Sequence, residues 1–139
     1  MTPYSIARTQ INVAEWVKGD NPQIIEYLKS CPSLPDDMEN DQGTPWCAAF
    51  VNWCCKEAGI EGTRSAAARI WLTYGEKLKE PVPGCIVVLR RTNSPTSGHV
   101  CFFVKQSGDK ILCLGGNQGD QVKESWYSTA DVLGYRRLA

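Results

Sequence analysis

The chain has 139 residues, 42% of them hydrophobic and 22% charged, and its 15 Lys and Arg balance 15 Asp and Glu to a formal net charge of zero. That length supports one core and one domain, and the composition is that of an ordinary globular protein. Balanced charge argues against a binder of nucleic-acid backbones, whose affinity rests on clustered cations, and the sequence has no apolar run of about 18 residues of the kind that spans a membrane.

Residues 4–17 read as a helix anchored by Ile6, Val13 and Trp16. "GDNPQIIEYLKSC" starts a second helix, with Asn21 as N-cap, Pro22 at the first helical position and Ile24, Ile25 and Leu28 on the buried face. The proline- and acid-rich "PSLPDDMENDQG" is a loop. A third helix is expected from about 45 to 58, capped by Thr44, begun by Pro45 and stopped by Gly59. "SAAARIWLTY" (65–74) makes a fourth. Five short segments then carry β-branched and aromatic residues between turn signals: "CIVVLRR", "HVCFFVKQ", "KILCLGG", "DQVKESWY" and "VLGYRRL". Helices first and strands second argue for an α+β domain with an antiparallel sheet of about five strands. The expected organisation is one catalytic domain, 1–139, helical over about 1–75 and sheet over about 84–138.

"GTPWCAAFVNWCC" places three of the seven cysteines on the third helix. Cys47 stands at its start, where unpaired N–H groups and the helix dipole favour a thiolate. Cys54 and Cys55 lie two turns further on and read as core. A thiolate needs a base, and the single histidine, His99, opens an apolar strand. A third group must hold its tautomer. A loop of three or five residues between strands 99–105 and 111–117 pairs 103 with 113 and 101 with 115, and brings Asn117 beside His99. Gln118 and Asp120 are the alternatives. Gly115, opposite Cys101, leaves room there. Gln42 is placed to donate to an oxyanion with the backbone N–H of Cys47, Trp46 to wall the cleft, and Asp41 either to bind a substrate amine or to cap the helix. The sequence has no CxxC pair, and a zinc site would need the scattered set Cys47, Cys54, Cys55 and His99.

The "TPWCAAFVNWC" helix, the "GHVCFFV" strand and the "LGGNQ" strand end resemble NlpC-type and CHAP-type cysteine peptidoglycan hydrolases of the papain-like superfamily, over roughly residues 40–137. "PGCIVVLRR" and "LGYRR" match the same layout. The resemblance implies helices packed on an antiparallel sheet. It implies hydrolysis of an amide bond in bacterial cell-wall peptides, as an amidase or a D,L-endopeptidase, with no cofactor or metal. Cys47 would attack, His99 move the proton and Asn117 orient His99. "MTPYSIARTQ" lacks the order of a secretory signal. The expectation is therefore a monomer made in the cytoplasm that acts in the periplasm or on the wall. Delivery by a holin points to a phage endolysin. Delivery by a secretion system, such as type VI, points to an antibacterial effector with an immunity protein as partner. The alternatives are a Cys-His acyltransferase or protease acting on proteins, and a non-catalytic binding module of the same fold.

Overall fold

The computed structural model describes residues 1–32, 46–91 and 98–138. Among them, three α-helices come first: α1 (Pro3–Arg8), α2 (Pro22–Leu28) and α3 (Cys47–Glu57). A 3-10 helix (Ala68–Thr73) leads into β1 (Glu76–Leu78), β2 (Ile86–Arg90), β3 (Gly98–Ser107), β4 (Lys110–Gly115), β5 (Lys123–Ser128) and β6 (Val132–Arg137). The strands form a fully antiparallel sheet in the order β1-β6-β2-β3-β4-β5. This is the expected α+β architecture, with a sixth strand. β1 escaped the sequence because Glu76 and Lys77 are charged and exposed, and pairing with β6 is what makes the segment a strand.

The helices differ from expectation in length. α1 stops at Arg8 instead of continuing to 17. Beyond it, Asn12 takes a left-handed φ of 83°. The backbone of residues 12–15 is drawn into a bridge with 120–122: Asn12 N–H donates to Val122 O at 2.9 Å, Val122 N–H to Val13 O at 2.8 Å and Glu15 N–H to Asp120 O at 2.9 Å. Ile6 and Val13 pack on the core as expected, but Trp16 is 49% exposed. α2 begins as its sequence dictates, with Asn21 accepting from the Gln23 N–H at 3.0 Å and Pro22 at the first position. The fourth helix is a short 3-10 helix. The segment before it is held to α3 by the buried Asn52 amide, which donates to Ser65 O (3.0 Å) and accepts from the Arg64 N–H (2.8 Å), so helical backbone starts only at Ala68. α3 ends on Gly59 at φ 74°: Gly59 N–H reaches Lys56 O, and Ile60 N–H reaches Cys55 O at 2.8 Å, the Schellman arrangement.

The apolar interior has two parts. Between helices and sheet lie Tyr27, Trp46, Phe50, Trp71, Val88, Val100 and Phe102, among others. On the opposite face, Cys85 just before β2 joins Val87, Leu89, Cys101, Phe103, Ile111 and Cys113 of β2, β3 and β4. Tyr127 of β5 and Tyr135 of β6 pack against this second cluster. Both faces of β2 are therefore buried, which explains its unbroken apolar run.

Candidate active site

Cys47 is the first residue of α3 and is 4% exposed. The first amides of a helix have no carbonyl partner within it, so a sulfur here lies at the positive end of the dipole. The sheet supplies one more donor. Phe103 N–H donates to Cys85 O toward β2, so the amides of Phe102 and Val100 face β4. β4 leaves the ladder at Gly115, and the Val100 N–H is turned to the Cys47 sulfur instead. The thiol takes the place that the next residue of β4 would have held.

At this open end of the sheet His99, 5% exposed and on the other face from Val100, comes beside Cys47. Burial is the largest single influence on the thiol and pushes its pKa up. The charge of His99, its side-chain contact, the Val100 amide and the charge of Arg91 together outweigh burial and hold Cys47 below the ordinary thiol range. In the same way burial lowers the His99 pKa, but Cys47 and the hydrogen bond to Gln118 raise it above the ordinary imidazole value. Each group favours the charged form of the other. His99 Nδ1 is buried and has no hydrogen-bond partner among the described residues. Thiol-imidazole pairs commonly align only when substrate is bound.

The other ring nitrogen is fixed. His99 Nε2 lies 2.9 Å from Gln118 Oε1. The Gln118 amide nitrogen donates to Lys123 O at 2.7 Å and Cys113 O at 3.2 Å, which settles which end of the amide is oxygen. Oε1 only accepts, so Nε2 carries the proton and donates. The lone pair of the neutral ring is then on Nδ1, the nitrogen left for the thiol proton.

The side chain bonded to His99 is that of Gln118, one of the two alternatives to Asn117. Strand pairing near the site is as anticipated, with Phe103 opposite Cys113 and Phe102 opposite Leu114. The route differs: the turn is the two residues Gly108 and Asp109, and a bulge at Val104 makes up the count. Asn117 falls after the end of β4 and adopts a left-handed φ of 57°, a conformation that Asn tolerates better than most residues. That turn swings the following side chain back beneath the strand. Gly115 leaves the space it fills: a Cβ there would lie 2.5 Å from Gln118 Oε1 and 2.8 Å from the Cys101 Cβ. Gly116 has a different task, since its Cβ would lie 2.7 Å from the Trp46 ring and 2.8 Å from the Phe50 Cβ. Asp120 is exposed, and its carbonyl accepts from Glu15.

Trp46 does not wall a cleft. It is fully buried, stacks on Tyr27 with centroids 5.9 Å apart, and donates its indole N–H to Glu15 Oε2 at 3.0 Å. It locks the start of α3 from inside, and the same 12–15 segment braces the loop that carries Gln118. Asp41, Gln42, Thr44 and Pro45 lie outside the described residues. Cys54 and Cys55 are fully buried in the last turn of α3, where burial pushes Cys54 well up and Cys55 up to about 12. Among the described residues no group of three or more His, Cys, Asp or Glu is placed to hold a metal ion, and no helix is long and apolar enough to cross a membrane.

Two residues that the sequence did not single out also face the site. The Tyr127 ring lies 5.7 Å from the imidazole, centroid to centroid. Arg91, just past β2, shares a cleft of about 270 Å³ with His99, Asn117, Gln118 and Tyr127. The tandem arginines closing an apolar strand were the available signal.

Comparison with known proteins bears on what this arrangement does. The CHAP domain family model matches residues 39–117, more than half of the chain. Among solved structures the chain is similar to a protein described as similar to lipoprotein, of the NLP/P60 family, from Staphylococcus aureus subsp. aureus Mu50, at 17% identity and a TM-score of 0.46 over 91% of this chain and 44% of that one. It is also similar to Ly7917, at 20% identity and a TM-score of 0.46 over 81% of this chain and 61% of that one. Ly7917 was also solved with "the hydrolyzing product of MDP", a structure that matches at 21% identity and a TM-score of 0.45, again over 81% of this chain and 61% of that one. The chain thus spans less than two thirds of the length of each. No curated protein matches the sequence.

Proposed function

The chain belongs to the CHAP domain family, and from that premise we propose that it is a peptidoglycan hydrolase that cleaves an amide bond of bacterial cell-wall peptides through a Cys47 thiolate. The observation that carries this reading is the Cys47–His99 pair, with the thiol held low and the imidazole proton fixed on Nε2 by Gln118. Nδ1 of His99 accepts the thiol proton, and the sulfur attacks the amide carbonyl carbon. The oxyanion that forms is at the α3 N-terminus, where the Cys47 N–H has no helical partner. His99 returns the proton to the leaving amine, the C–N bond breaks, and a thioester remains on Cys47. A water molecule gives a proton to His99 and attacks the thioester, releasing the carboxylic acid and the thiol.

Incubation with purified peptidoglycan, followed by mass spectrometry of the soluble fragments, tests this. New muropeptides are expected from the native protein and none from Cys47→Ala. No new fragment after hours with the native protein overturns the reading, and the fragment masses separate an amidase from a D,L-endopeptidase. The proposed setting is a phage lysin or a secreted antibacterial effector that meets the wall after delivery. Expression with a periplasmic leader is then expected to lyse a Gram-negative host, whereas cytoplasmic expression is not.

A further inference from the structure

The cleft beside His99 lies on the side of Gln118, not on that of the thiol. Both partners of the 2.9 Å Nε2–Oε1 bond line it, and Cys47 does not. A hydrogen bond open to solvent contributes little, because water competes for both of its groups. Yet His99 and Gln118 are only 5% and 3% exposed, so the bond is covered on this side. Tyr127 is the one aromatic ring in the lining, and it lies 5.7 Å from the imidazole, centroid to centroid, with 41° between the planes. The alternation of β5 aims it there: Trp126 is 47% exposed, whereas Tyr127 turns inward against the second apolar cluster. Burial, then the thiols of Cys101 and Cys113, hold its phenol above the ordinary range, so the ring brings an uncharged face to the site.

We infer that Tyr127 is a positioning residue for His99: its ring keeps the water of the cleft away from the hydrogen bond to Gln118, and so keeps the imidazole lone pair on Nδ1 for the thiol proton. This rests on the Cys47–His99 reading of the site and adds a residue to it. Which nitrogen of a neutral imidazole carries the proton is set by the hydrogen bonds the ring makes. The Gln118 oxygen can only accept, so it holds the proton on Nε2. A water molecule at Nε2 could donate as readily as accept. It would let the proton settle on Nδ1, where it blocks removal of the thiol proton. The ring of Tyr127 leaves that choice to Gln118 alone. The same face suits the imidazolium that forms when the thiol ionises, since an aromatic ring attracts a neighbouring cation.

His99 is the single histidine, so NMR of protein carrying isotope-labelled histidine reads this ring alone and needs no substrate. In the native protein the neutral ring is expected to hold its proton on Nε2, with exchange against water slower by roughly tenfold or more than in Gln118→Ala. Tyr127→Leu is expected to speed that exchange toward the Gln118→Ala rate and to populate the tautomer protonated on Nδ1. Tyr127→Phe, which keeps the ring, is expected to restore the native signature. The kcat should follow the same order, and Tyr127→Leu should cost little more once Gln118→Ala is present, because both act through one bond. A native Nε2 proton that exchanges as fast as in Gln118→Ala overturns the inference with no change made at position 127. A native signature in Tyr127→Leu, or losses that simply add in the double variant, overturns it too. The two readings fail separately. A protected Nε2 proton in a protein that releases no muropeptide removes the hydrolase and leaves the role of Tyr127 standing. Muropeptide release with an unprotected proton removes that role alone.

Discussion

Two ends of one helix hold the same side chain in opposite chemical states. At the start of α3, Cys47 is almost fully buried yet held as an easily ionised thiol; two turns on, Cys54 and Cys55 are equally buried and strongly resist ionisation. Burial is therefore not what distinguishes them. The difference is what burial leaves within reach. Amides this far into the helix are spent on the i−4 carbonyls, so desolvation prevails at both sulfurs, and at Cys54 the neighbouring Cys55 and Glu57 add to it. At the first turn the amides are unspent, Val100 offers another, and an imidazole stands alongside. The state of a cysteine is set by the donors around it.

Substitutions at the two ends put this contrast to the test. The largest effect is expected from Cys47→Ala: turnover lost, with an unfolding midpoint in urea near that of the native protein. Retained turnover would put the chemistry on another residue. His99→Ala follows. It removes the strongest opposing influence on Cys47, so burial prevails, the thiol pKa rises, and alkylation by iodoacetamide near pH 6 slows by roughly tenfold or more. In the native protein the pH profile of turnover is expected to be a bell. Its acid limb follows ionisation of Cys47 below the ordinary thiol range, and its alkaline limb follows loss of the His99 proton above the ordinary imidazole range.

Intermediate effects fall on the orienting residues. Gln118→Ala is expected to lower kcat by roughly ten- to a hundredfold. Gly115→Ala should match it by displacing Oε1, although it alters no polar group. Asn117→Gly is expected to change kcat little, because glycine accepts the same backbone conformation. A larger loss from Asn117→Gly than from Gln118→Ala would reverse the two assignments. The smallest effect on activity belongs to Cys54→Ala, which should keep turnover and lose about 1–2 kcal/mol of stability by chemical denaturation.

What the sequence showed and hid follows the range of the forces involved. The start of α2, the Gly59 stop and the five apolar strands are written in neighbouring residues, and so is the pairing of a helix-start cysteine with a strand histidine. Asn117 and Gln118 could not be told apart by counting. The bulge at Val104 and the left-handed turn at Asn117 both come from how β3 and β4 meet their neighbours, not from local preference. Trp46 beside Cys47 looked like a cleft wall because its partner, Glu15, is far away in sequence. α1 looked longer than it is because residues 12–15 satisfy their backbone against 120–122.

That last bridge has a kinetic meaning. Ala14 and Gln121 lie near opposite ends of the chain, and joining them closes a loop around nearly everything else, a contact that is slow to find. The same short segment holds Trp46, immediately before Cys47, and the loop that aims Gln118. During refolding, helical signal should return first and fast alkylation of Cys47 last. The reactive thiol would then report when the two ends of the chain have met.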